Sequence, residues 1–137
     1  MIEVSDATRL MAGVLFITIP TIEFGGWFLL RIATGKQQVT EKQQTFFRAG
    51  HAHAGVFVIL ALLSQLFVDA ADVSGVVELV AREGVAAAAL LVPGGFFLSV
   101  ARPGATVPSR LVLLIPIGMA VLAAGVITTG IALIASA

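Results

Sequence analysis

Cysteine and tyrosine are absent from the 137 residues, which include only two histidines and one tryptophan. Without thiols there is no disulfide, thiolate zinc site, iron–sulfur cluster or thioether-linked haem. Any metal centre must draw on histidine, carboxylate or backbone oxygen. Charge is scarce as well: 12% of residues are charged and 58% hydrophobic, with a mean hydropathy of +1.05, whereas a soluble domain is roughly a quarter charged. That balance excludes a water-soluble globule. Eight basic residues offset eight acidic ones, so no surplus of positive charge is available to hold a nucleic-acid backbone. The length allows one domain at most.

What the chain has in abundance is apolar runs. Four stretches can be marked, residues 10–32, 49–68, 76–101 and 111–135. Each reaches about 20 residues, enough to cross about 30 Å of hydrocarbon as a helix. A membrane β-barrel would alternate apolar and polar positions, and Val56-Phe57-Val58-Ile59-Leu60-Ala61-Leu62-Leu63 does not. The expected architecture is therefore all-α: one domain over residues 1–137, an integral membrane four-helix bundle. The start, with Glu3 and Asp6, is acidic where a secretory leader is basic, so the first stretch is expected to remain in the mature protein.

Orientation is read from the basic residues. Arg31, Lys36, Lys42 and Arg48 join spans 1 and 2, and Arg102 and Arg110 join spans 3 and 4, so six of the eight basic residues share one side. That side is expected to be cytoplasmic. The other holds Glu3, Asp6, Asp69, Asp72 and Glu78 with Arg9 and Arg82, and both termini are expected there, on the non-cytoplasmic side. Thr40 and Gln43 have capping-box spacing, which starts helix 2 ahead of the membrane. Asp72 or Ser74 can cap helix 3, and Glu78 with Arg82 forms an i,i+4 pair expected at the outer interface. Usage rich in Ala, Val and Gly suits a bacterial plasma membrane.

Against this background three ionisable residues stand out. Glu23 lies eight positions before Arg31, about 12 Å along a helix, and a carboxylate at that depth is costly unless protonated, paired or ligating. His51 and His53 both fall in Arg48-Ala49-Gly50-His51-Ala52-His53-Ala54-Gly55. At about 100° per residue their rings leave nearly opposite faces of the helix, so they are expected to serve two sites, or one site and one hydrogen bond. The small residues around them permit close helix packing or the approach of a planar ligand. Pro20, Pro93-Gly94-Gly95 and Pro116 are expected to kink or break three helices near the same depth, freeing carbonyls around Glu23 and the histidines. Ser64, Gln65, Thr128 and Thr129 are read as interhelical or self-bonding polar groups.

The run from Ala49 to Val56 resembles the His-x-His start of a transmembrane helix in the catalytic subunit of haem-copper oxidases and in small membrane proteins related to it. There the two histidines ligate different haems from opposite sides of one helix, so the resemblance implies His51 and His53 as axial ligands of haem b. This chain has only four spans, no third histidine and no tyrosine, which excludes an oxidase active site and leaves haem or transition-metal binding.

The preferred expectation is a small redox or accessory membrane protein that binds haem or a metal ion. Its cofactor contacts would be His51 and His53, and its metal ligands His51, His53 and Glu23, with Glu23 close to His53. One alternative is a proton or cation channel or carrier built on the same residues. Another is a structural subunit of a larger membrane complex, or a homo-oligomer, packed through its Ala- and Gly-rich faces. No nucleophile, phosphate loop or carboxylate pair marks an enzyme in its own right.

Overall fold

The computed structural model describes residues 4–137, so Glu3 lies outside the described residues. Inside hydrocarbon a backbone finds partners for its N–H and C=O groups only within itself, which turns each apolar run into a helix. There are four: α1 (Asp6–Ala33), α2 (Glu41–Ala70), α3 (Gly75–Ser99) and α4 (Leu114–Ala135), the last entered through one 3₁₀ turn over Arg110–Leu113. Three of them, α1, α2 and α4 with its 3₁₀ turn, are long and apolar enough to cross a membrane.

Local signals set the helix starts. Ser5 caps α1 by accepting from Thr8 N at 3.2 Å. Thr40 and Gln43 close the capping box of α2 with bonds of 3.1 and 3.0 Å. Gln43 then donates from Nε2 to the carbonyls of Val100 and Arg102, each at 3.0 Å, tying the start of α2 to the loop after α3. At α3 the expectation fails, because Ser74 stands at the N-cap position without a side-chain bond and Asp72 occupies the left-handed region, at φ 48°. The prolines do not break their helices either. Both α1 and α3 run uninterrupted past Pro20 and Pro93, while Pro116 sits in the first turn of α4, where its missing N–H is least felt.

Consecutive helices pack antiparallel. α1 lies chiefly on α2, α2 on α3, and α3 most extensively on α4. α3 is the innermost: Ala81, Val85, Ala88 and Val92, spaced by four, three and four residues, have no exposed surface, one helical stripe turned entirely inward. It also carries Glu78, Arg82 and Glu83, of which Arg82 is buried between the helices while Glu83 is exposed. Between α3 and α4 the backbones approach at Gly84 and Gly125. α1 stands apart from α3, and the space between them is a groove floored by α2.

Candidate functional site

The groove has a volume of about 790 Å³ and runs beside α1 from Met11 to Phe28. That is a helix length of about 25 Å, most of the hydrocarbon thickness. Its walls are mainly apolar, with Leu15, Phe24 and Phe28 from α1 and Ala89 and Phe97 from α3. His51 projects into it from α2, and Glu83, which the sequence reading passes over, lines it from α3.

His51 rests on a pair of glycines. A Cβ at Gly25 would stand 3.3 Å from its Nδ1, and one at Gly26 would stand 3.5 Å from its Nε2. The nitrogen-bearing edge of the ring thus faces α1 and sits in the space that the two missing side chains leave. Neither nitrogen makes a hydrogen bond among the described residues. Gly50 serves a different contact. A Cβ there would meet Phe96 Cβ and Phe97 Cε2 at 3.0 Å each, so it lets α3 approach α2 beside the histidines.

His53 has other neighbours. Its Nδ1 lies 2.8 Å from the carbonyl oxygen of Ala49. A carbonyl only accepts, so Nδ1 carries a proton and donates it there. The ring stacks on Phe96 at 5.2 Å between centroids and meets Phe57 edge-on at 5.4 Å. The two imidazoles are inequivalent, one against α1 and the groove, the other among phenylalanines.

Glu23 joins neither. It is exposed on α1, and among the described residues it makes no hydrogen bond or ion pair. Gly25 and Gly26 are the positions of α1 that meet His51. Glu23, two and three residues earlier, points about 110° around the helix from the direction between them. The rotation of α1 about its own axis thus carries the carboxylate away from the histidines. Among the described residues no group of three or more His, Asp or Glu could hold a metal ion. Glu23, His51 and His53 are thus not brought together in one group. A bare divalent transition metal such as zinc requires three or four protein donors, and the groove presents one imidazole, His51, and one carboxylate, Glu83.

A second polar constellation lies where α1 begins and α2 ends, and the sequence reading assigns it no role. Arg82, with 6% of its surface exposed, donates from Nη1 to Thr8 Oγ1 at 2.6 Å and to Gln65 Oε1 at 3.0 Å. Its Nη2 donates to Asp69 Oδ1 at 2.8 Å and Glu78 Oε1 at 3.1 Å. Gln65 returns a bond from Nε2 to the Arg82 carbonyl at 3.0 Å, and Ser5 donates to Asp69 from its backbone and hydroxyl. The Glu78–Arg82 pair is thus part of a polar knot joining α1, α2 and α3, in which Arg82 is buried and Glu78 stands at the open edge, its side chain 36% exposed. Gln65 and Asp69 at i,i+4 on α2, with Glu78 and Arg82 at i,i+4 on α3, were the signal available. Spacing shows that each pair shares a helix face, but not that the two faces meet.

No protein family, curated protein or solved structure matches the chain.

Proposed function

We propose that this is a small multi-pass membrane protein whose working site is the groove between α1 and α3. It would take a flat, largely apolar prosthetic group, for which the His-x-His resemblance suggests haem b. The supporting observation is His51, an imidazole without a hydrogen-bond partner among the described residues, lining an apolar cavity of about 790 Å³. Such a combination, an apolar pocket with a few convergent polar groups, is the usual form of a cofactor site. His51 would be the nitrogen ligand, Phe24, Phe28 and Phe97 the walls, and His53 a packed ring that stiffens the adjoining α2–α3 contact. A haem held there would supply one-electron transfer within the bilayer, in a redox or accessory component of a larger membrane assembly.

The test is titration of the detergent-purified protein with haem, read by absorption. Wild type and His53→Ala are expected to take up haem and His51→Ala to lose uptake, while the melting temperature of His51→Ala stays within a few degrees of wild type. Equal uptake by both variants, or none by wild type, overturns the reading.

The orientation goes with it: α3 crosses with the other helices, the Arg31–Arg48 connection is cytoplasmic, and α1 starts and α4 ends outside, in a bacterial plasma membrane. The excess of Lys and Arg in the two connections supports this. A reporter active only outside the cytoplasm, fused to the C-terminus, is expected to be active. Activity instead from a reporter restricted to the cytoplasm overturns the orientation.

A further inference from the structure

The two ends of the helix array treat charge differently. All three ion pairs among the described residues, Arg9–Asp6, Arg82–Asp69 and Arg82–Glu78, lie at the end where α1 starts. The opposite end gathers Arg31, Lys36, Lys42, Arg48, Arg102 and Arg110 against the single carboxylate Glu41. None of those six is in an ion pair among the described residues. Six like charges without counter-ions repel one another, and the arrangement is relieved by an anion from outside the chain.

At that end, between the last turns of α1 and the first turns of α2, lies a crevice of about 330 Å³. Leu29, Leu30, Ile32 and Ala33 form one wall, and Gln44 and Arg48, one turn apart on α2, form the other. Arg31, with its guanidinium 5.0 Å above the ring of Trp27, leaves α1 on another face and does not line the crevice. The crevice is amphipathic: an apolar wall that suits the glycerol and the first methylenes of an acyl chain, and an amide and a guanidinium that suit a phosphate. Arginine binds phosphate oxygens with paired N–H donors, and basic crevices between membrane helices are where anionic head groups dock.

We infer that this crevice is a binding site for an anionic phospholipid, with Arg48 and Gln44 holding the phosphate. The site is separate from the groove that holds His51 and does not depend on what that groove binds. Its occupant is a membrane lipid rather than free phosphate, because the Leu and Ile wall has nothing to offer an inorganic ion.

Trp27, the single tryptophan, is a built-in probe. The full chain in mild detergent is titrated with phosphatidylglycerol carrying bromine near the head of its acyl chains, and with the matching phosphatidylcholine, and Trp27 quenching is followed. Half-quenching is expected at a markedly lower concentration of the anionic lipid. Arg48→Gln is expected to raise that concentration about fivefold and Arg48→Glu further, with the phosphatidylcholine curve unmoved. Arg48 is exposed and unpaired, so both variants retain the fold, which circular dichroism checks. Equal quenching by the two lipids, an unshifted curve in Arg48→Gln, or displacement of the lipid by inorganic phosphate alone would overturn the inference.

Discussion

Arg82→Met is expected to destabilise the protein by about 3–5 kcal/mol, the range for removing one partner of a buried ion pair. The mechanism is the stranding of what remains. Asp69 would lose its guanidinium at a site where 4% of its side chain is exposed. Gln65, with no exposed surface, would lose the donor to its Oε1, and Thr8 the donor to its hydroxyl. Each buried group left without a partner adds roughly 1–3 kcal/mol of desolvation. Since the knot connects α1 to both α2 and α3, its loss should loosen α1 first, the helix with the least other packing. The measurement is the thermal unfolding midpoint in detergent by circular dichroism, with hydrogen exchange to locate the loosening. Adding Asp69→Asn and Glu78→Gln removes the stranded charges and should recover part of the loss. A midpoint unchanged by Arg82→Met would show that the knot contributes nothing net. The Nε of Arg82, buried and without a partner among the described residues, already counts against it.

Gly125→Leu is the second large effect expected, through overpacking rather than charge. A Cβ at Gly125 would lie 3.0 Å from the Val85 backbone nitrogen and 3.1 Å from the Gly84 Cα, and a Cβ at Gly84 would lie 2.8 Å from the Gly125 Cα. These neighbours are backbone atoms, which cannot turn aside as a side chain can. The helices must separate, opening the most extensive interface of the fold. In a membrane that interface has no hydrophobic driving force to replace lost contact, because lipid is as apolar as leucine. A loss at the upper end of about 1–3 kcal/mol, or beyond it, is expected, the range for forcing extra methylenes into a packed core. Gly130→Leu is the control: nothing lies within 4 Å of its Cβ position, so it should melt like wild type. If the two variants melt together, the close approach of α3 and α4 is not what holds them.

The features legible beforehand were those that depend on neighbours in sequence. Helical runs, the Thr40–Gln43 capping box and the divergence of His51 from His53 all follow from one chain segment and its periodicity. The direction of Glu23 is not legible in the sequence for the complementary reason. Depth along α1 is set by residue count, but the direction in which the carboxylate points depends on how α1 is rotated against α2. That rotation is decided by Gly25 and Gly26 accepting the His51 ring, a contact between residues 26 and 25 positions apart. Glu83 escaped notice because its charge had no spacing partner, and only the stand-off of α1 from α3 makes it a groove residue.

The amino-acid sequence by itself determined that the chain is helical and belongs in a membrane, since its apolar runs leave the backbone no other way to satisfy its hydrogen bonds. It also determined that one end of the array is basic, because charge positions and helix lengths suffice to say so. Tertiary structure alone decided that α3 lies innermost, that Arg82 is buried in a three-helix knot, and that His51 and not Glu23 looks into the groove. These are matters of which face of one helix meets which face of another, and such pairings are set by side-chain contacts between segments tens of residues apart, which periodicity within a single helix does not encode.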